Sequence, residues 1–160
     1  EKGIQDRINR LMSVKGSQSV DSLHKKLGHI MWDFVGMGRE REGLEKAIVE
    51  LKALKKEFWS DVRIPGKADD LNVELEKALR LADFIEIGEL MARDAHDREE
   101  SCGGHFRLEH QTPEGEALRH DDKFAYVSCW EYQGEDQDPV LLKEPLDYEF
   151  VVRQQRNYKN

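Results

Sequence analysis

Three stretches of the chain repeat apolar residues at three- and four-residue steps, the spacing that gathers side chains on one face of a helix. Val20, Leu23, Leu27, Ile30, Met31 and Phe34 form the first stripe. Ser19 precedes it as a candidate N-cap, with Asp21 in the first turn, and Gly36-Met37-Gly38 ends it. The second stripe is Leu44, Ala47, Ile48, Leu51, Leu54 and Phe58, on a helix expected over residues 40–62 and stopped by Ile64-Pro65-Gly66. The third helix is expected over residues 70–99, with Leu75, Ala78, Leu79, Ala82, Ile85 and Met91 near helical spacing. Val73, Leu81, Phe84, Ile87 and Leu90 lie on its other sides. A helix apolar on several sides is expected to be buried on several sides, so this one should pack on more than its own bundle. A shorter helix over residues 3–12, broken by Lys15-Gly16-Ser17-Gln18, precedes all three.

The pattern changes after residue 100. Ser101-Cys102-Gly103-Gly104 ends the last helix, and residues 105–122 are polar, with a turn signal at Pro113-Glu114-Gly115. Residues 124–132 are rich in strand formers, and Gly134-Glu135-Asp136 turns the chain. Residues 140–142 and 148–152 are two further short strand candidates. The expected fold is therefore mostly α: an antiparallel three-helix bundle followed by a small irregular and β C-terminal segment. The expected division is a helical bundle domain at 1–100 and a loop and short-strand segment at 101–160, packed on the bundle.

Composition narrows the function more than the fold. Hydrophobic residues make up 38% and charged residues 36% of 160, with three Trp, six Phe and four Tyr, enough for one folded domain with a real core. The net charge is -8, and basic residues alternate with acidic ones, as in Arg39-Glu40-Arg41-Glu42. That is a solvated helix face, and it offers nucleic acid no clustered basic surface. No apolar run approaches bilayer length, and no signal peptide is visible. Two cysteines, Cys102 and Cys129, fit neither a disulfide framework nor a CxxC motif, so reduced thiols are expected. Glu1 in place of an initiator Met points to a processed chain or a piece of a longer protein. There is no GxGxxG opening a βαβ unit, no Walker loop, no HExxH and no GxSxG.

The densest chemistry is Asp97-Arg98-Glu99-Glu100-Ser101-Cys102-Gly103-Gly104-His105-Phe106-Arg107. Two adjacent glycines after a helix permit a sharp turn. Arg98, Glu100, Ser101, Gly103, Gly104, His105 and Arg107 are the candidate interface turn, because charges buried at a contact must be paired and both signs are present. Two chemical alternatives use the same region. Cys102, His105, His110 and His120 are candidate metal ligands, although their spacing matches no recognised zinc pattern. Cys102 with His105 as its base is a candidate nucleophile pair. No role is assigned to His24 or His29, and Trp32, Phe58 and Trp59 are read as core or interface.

That cluster resembles a stretch near the C-terminal end of the flavoprotein subunits of succinate dehydrogenase and fumarate reductase, written roughly R-x-E-S-R-G-A-H-x-R. Arg119-His120-Asp121-Asp122, with Phe124 and Tyr126 behind it, is similar to the acidic segment and aromatic strand that follow in the family. Arg156-Asn157-Tyr158 is similar to its ending, and residues 30–39 and 82–91 resemble its helices. The wording looks most like the Bacteroides-type form. Aspartate oxidase shares a similar E-S-R-G motif, and the ending and strand region favour the succinate/fumarate branch. Cys102 and Gly104 depart from the family, which carries Arg and Ala there in many members.

The resemblance implies a parent subunit that binds FAD covalently, interconverts succinate and fumarate, and passes electrons to an iron–sulfur subunit. It implies an FAD-binding domain in the same subunit, a membrane-anchor subunit contacted indirectly, and a cytoplasmic location on the inner face of the membrane. The family's catalytic, substrate-binding and flavin-linked residues belong to earlier domains, so no catalytic, cofactor-binding or metal residue carries over and the chain alone is expected to be inactive. A stand-alone helical interaction module and a Cys/His metal-binding domain are the alternatives.

Overall fold

The computed structural model describes residues 2–134 and 137–154. In chain order these form α1 (Lys2–Ser13), β1 (Gln18–Ser19), α2 (Val20–Phe34), β2 (Gly38–Arg39), α3 (Arg41–Asp61), β3 (Val62–Arg63), α4 (Val73–Asp97), β4 (Phe106–Arg107), α5 (Asp121–Phe124), β5 (Tyr126–Glu131) and β6 (Val140–Pro145). The chain is mostly helical with a small β part near its C-terminus, as the periodicity implies.

The apolar stripes become the core. Leu23 and Leu27 of α2, Leu44, Leu51 and Phe58 of α3, and Ile85 of α4 are buried against one another. Each such side chain contributes roughly 1.5–3 kcal/mol relative to exposure. Ion pairs report the helix directions. Arg41 meets Glu99, His96 lies 3.1 Å from Glu45, and Lys55 lies 3.2 Å from Glu86, so α3 and α4 run antiparallel. Lys26 meets Glu57 while Lys46 lies 4.6 Å from the centre of the Phe34 ring, so α2 and α3 are antiparallel as well. The short helix α1 lies on α4, where Arg7 donates to Asp83 at 2.6 Å and to the Leu79 carbonyl at 3.4 Å.

The connections are set by local chemistry. Ser19 caps α2, its hydroxyl accepting from the Ser22 amide at 3.1 Å. The third bundle helix starts at Val73, not near residue 70, because Asn72 is its cap. The Asn72 Oδ1 accepts from the Leu75 amide at 3.0 Å, and its Nδ2 donates to the Pro65 and Lys67 carbonyls. Gly16 lies so close to the end of α3 that a Cβ there would sit 1.9 Å from the Asp61 carbonyl. Two parallel two-residue pairings, β1 with β3 and β2 with β4, fasten the bundle's ends. Pairs this short carry no sequence period, so the pattern along the chain did not announce them.

Other expectations are corrected. Residues 124–132 are not one strand: Phe124 closes the single-turn helix α5, where the His120 carbonyl accepts from the Lys123 and Phe124 amides. Residues 148–152 form no strand. Among the described residues β5 and β6 pair only with each other, and Phe150, Val151 and Val152 are exposed, so strand-forming side chains there find no described face to cover. The wide apolar surface of α4 is buried at Leu81 but open at Val73, Phe84, Ile87 and Met91, because no described element crosses that side. Of the residues read as core or interface, Phe58 is in the core, whereas Trp32 is almost wholly exposed and is no part of it. The Glu135-Asp136 turn and the Arg156-Asn157-Tyr158 ending lie outside the described residues.

Candidate functional site

Helix α4 ends at Asp97 with carbonyl groups that have no partner inside the helix. Arg107 supplies one. Its Nη1 donates to the carbonyls of Ala95 at 2.8 Å, His96 at 3.3 Å and Arg98 at 3.5 Å, and its Nε donates to Glu109 at 3.2 Å. The side chain is 1% exposed, so a full positive charge is held inside the protein by carbonyl dipoles and one carboxylate. Glu109 also accepts from the Arg41 amide at the start of α3. Although partial burial works the other way, the bonds from Arg41 and Arg107 hold the Glu109 carboxyl below the usual range. One acid–base pair thereby joins the end of α4 to the beginning of α3.

The turn between α4 and β4 is built to deliver Arg107. The Cys102 and His105 backbones exchange two hydrogen bonds, 2.8 and 3.0 Å, across Gly103-Gly104. Gly103 sits at φ 58°, a conformation disfavoured for side-chain-bearing residues. Ser101, wholly buried, accepts from the Arg107 amide at 2.8 Å and donates to its carbonyl at 3.2 Å. Glu100, 3% exposed, accepts from Arg98 at 3.0 Å and from the His120 amide at 2.9 Å. Arg98 continues to the Phe124 and Tyr126 carbonyls at 2.9 and 3.1 Å, and its guanidinium lies 4.8 Å from the Tyr126 ring. The hairpin β5–β6 is thus tied to the same corner. Trp130 and Tyr126 add bonds to Asp94 and Asp97 of α4.

His105 occupies a site that fixes its protonation. Arginine can only donate, so Nδ1 accepts from Arg39 Nη1 at 2.8 Å; Nε2 then carries the proton and donates to the Arg98 carbonyl at 2.8 Å. Burial and the positive charges of Arg39, Arg107 and Arg98 hold its pKa below the ordinary histidine value, against the pull of the Arg98 carbonyl. A neutral ring with both nitrogens engaged cannot serve Cys102 as a base, so the nucleophile reading fails on geometry. The metal reading has no support either. His105 is committed to Arg39 and Arg98, His110 packs edge-on against His120 with ring centroids 5.7 Å apart, and no three His, Cys, Asp or Glu side chains converge among the described residues.

All seven residues of the candidate turn therefore lie in one corner of the molecule. Five of them, Arg98, Glu100, Ser101, His105 and Arg107, spend their polar groups inside the chain, while Gly103 and Gly104, with Cys102 beside them, project as an exposed tip. A Cβ added to Gly103 or Gly104 would meet nothing within 4 Å. Sequence reasoning missed Arg39 and Glu109, the partners of His105 and Arg107. The Gly38-Arg39 dipeptide was visible, but its pairing with Phe106-Arg107 depends on a contact 68 residues away in the parallel register.

None of the chain's described strands runs through a Gly-rich turn into a helix N-terminus, the arrangement that cradles a pyrophosphate. A cleft of about 610 Å³ is lined by Arg10, Lys52, Lys55, Lys56, Glu86 and Glu89 among others. Much of that charge is already paired, Lys55 with Glu86 and Lys52 with Asp138. No described helix is long and apolar enough to cross a membrane.

Residues 24–158 match the family described as fumarate reductase flavoprotein C-term. The fumarate reductase flavoprotein subunit of Proteus vulgaris is 32% identical over 108 residues, covering 68% of this chain and 18% of that protein. That of Helicobacter pylori is 27% identical over 147 residues, covering 91% and 20%. Among solved structures, a quinol-fumarate reductase described with menaquinol molecules superposes with a TM-score of 0.79 at 24% identity, over 94% of this chain and 25% of that one. A Mycobacterium smegmatis Sdh1 complex in the apo form gives 0.76 at 20% identity, over 94% and 25%. The chain spans about a fifth of the length of the curated relatives it matches.

Proposed function

The chain belongs to the fumarate reductase flavoprotein C-terminal family, and from that premise we propose that it is the scaffold end of a flavin-dependent subunit interconverting succinate and fumarate. The observation that carries the reading is the family match over residues 24–158, joined to a fold that superposes along nearly the whole chain. The relatives carry flavoprotein in their names, and the parent subunit here would hold FAD in a region outside these residues. This chain contributes no catalytic group: the half-buried His105 is locked between Arg39 and the Arg98 carbonyl.

In this reading residues 1–100 form the bundle domain and 101–160 a segment packed on it. The turn of Arg98, Glu100, Ser101, Gly103, Gly104, His105 and Arg107 serves an interface. Its buried base holds the tip rigid, and the tip at Cys102, Gly103 and Gly104 has open space beside it for a neighbour. That neighbour is the FAD-binding domain of the same subunit or the iron–sulfur subunit, with a membrane-anchor subunit reached indirectly, and the assembly lies on the inner face of the cell membrane. The test is the reading frame that contains Glu1. An upstream strand–GxGxxG–helix segment, and covalent flavin in the protein expressed from the whole frame, are the expected results. A start codon immediately before Glu1 and a flavin-free product would overturn the reading.

A further inference from the structure

Residues 146–154 hang from one short segment. Among the described residues, every hydrogen bond between them and the rest of the chain joins them to residues 119–125. The Leu146 amide donates to the Ala125 carbonyl at 2.9 Å, Arg153 Nη1 to the Asp121 carbonyl at 3.3 Å, and Arg119 Nη1 to the Gln154 carbonyl at 3.0 Å. Tyr148, Phe150, Val151 and Val152 stay exposed, so burial adds little to the hold. A strap fixed by a few exposed bonds opens locally at low cost.

The segment that carries the strap is seated at His120. The His120 amide donates to Glu100 Oε2 at 2.9 Å, and its carbonyl accepts from the Lys123 and Phe124 amides, which closes α5. Arg98 holds the other end of α5 through the Phe124 carbonyl. The half-buried His120 ring meets the half-buried His110 ring edge to face, with centroids 5.7 Å apart. His105 has both nitrogens engaged; by contrast, no ring nitrogen of His110 or His120 is hydrogen-bonded among the described residues. Both rings are therefore open to a proton from solvent.

The surroundings oppose a proton on each ring at once. A single proton is tolerated, since the charged edge of one imidazole meets the face of a neutral one. Two protons set like charges against each other at that spacing. Burial, Arg107 and His120, with Arg41 at the start of α3, hold the His110 pKa below its ordinary value, against the pull of Glu109. The carboxylates around the pair are committed elsewhere: Glu109 to Arg107 and the Arg41 amide, Glu100 to Arg98, and Asp121 to Arg119. Glu114 and Glu116 of the intervening turn are engaged as well, and Asp122 and Lys123 on α5 carry opposite charges.

We infer that the His110–His120 pair is an acid-sensitive latch, which seats α5 and the 146–154 strap on the turn when uncharged and frees them when both rings carry a proton. The inference stands apart from the functional reading above. Opening separates the two rings in water, so the open form binds more protons than the closed one. The latch holds fully above about pH 6.5, the ordinary histidine value, and weakens as pH falls from there. Carboxylates ordinarily titrate at about pH 4 and keep their charge through that window.

Amide exchange, read peptide by peptide in the protein expressed from the whole reading frame, carries the test. Rates are divided by the intrinsic chemical rate at each pH. Between pH 7.5 and 5.5, corrected exchange in residues 121–126 and 146–154 is expected to rise about tenfold, the scale of two like charges at this spacing partly screened by water. Exchange in α3 and α4 is expected to stay unchanged. His110→Gln and, separately, His120→Gln are expected to cut the rise to less than about twofold; should one of them disturb α3 or α4, the other decides. His105→Gln is expected to leave the rise in place, because that ring is committed to Arg39 and the Arg98 carbonyl. No rise in the parent protein overturns the inference. So does a rise that persists in both the 110 and 120 variants, one that His105→Gln abolishes, or one that spreads equally through α3 and α4.

Discussion

Arg107 is the residue on which the end of α4 depends. Replacing it with Met keeps much of its volume but takes the guanidinium from the Ala95 and His96 carbonyls and leaves the Arg98 carbonyl with His105 alone and Glu109 with the Arg41 amide alone. Loss of about 1–3 kcal/mol of unfolding free energy is expected, the cost of leaving buried acceptors unsatisfied; denaturant titration measures it. His105 gives the same corner a pH dependence. Its folded-state pKa lies below the ordinary value of about 6.5, so the unfolded chain takes up a proton before the folded one does. Its contribution is complete above about pH 6.5 and shrinks as pH falls from there toward the lowered folded-state value. His105→Gln preserves an acceptor for Arg39 and a donor for the Arg98 carbonyl without titrating. It is therefore expected to flatten the fall in urea midpoint between pH 7.5 and 5.5. An unchanged slope would move the effect to His110, whose pKa burial, Arg107 and His120 also lower. Asp61, Glu109 and Asp138, all held low by their partners, act in a more acidic window.

At the scale of elements, the junction of α1, α2 and α3 turns on Gly16. A Cβ there meets backbone, which cannot swing aside as a side chain would. Gly16→Ala is expected to cost at least about 2 kcal/mol, with faster amide exchange in α1, because the loop must retreat from Asp61. Gly28→Ala, in open space inside α2, is expected to raise stability by roughly 0.5–1 kcal/mol in the 160-residue chain. The pair of thermal melts separates close approach from mere flexibility. These elements also show what the sequence discloses. The stripes through Leu23, Leu51 and Ile85 marked the bundle because burial on one side leaves a 3.6-residue period. Ser19 was legible as a cap because its bond is local. The segment at 148–152 was not legible: its side chains favour strands, yet pairing needs a free neighbour that propensity does not report. The candidate turn was found by its crowd of charges, but its partners were hidden: Arg39 arrives from β2, 66 residues before His105, and Glu109, just past β4, is fixed by the distant Arg41 amide.

For the whole molecule, the exposed apolar side chains of α2 and α4 have a consequence in solution. The 160-residue chain is expected to self-associate as concentration rises, since apolar surface deprived of cover seeks another copy. Ile87→Lys is expected to suppress that association in light scattering while leaving the melting temperature within a few degrees, because the site is half-exposed. A strict monomer at high concentration would count against those side chains as a contact surface. The central claim is that this region shapes a flavoprotein subunit without joining its chemistry. The most direct test is succinate turnover per bound flavin, measured at pH 7.5 for His105→Gln in the protein expressed from the whole frame. Turnover within about twofold of the parent is the expected result, since His105 is spent on Arg39 and the Arg98 carbonyl. A fall of about a hundredfold or more with flavin content and fold intact, the scale of a lost general acid or base, would contradict the account and make His105 a catalytic residue.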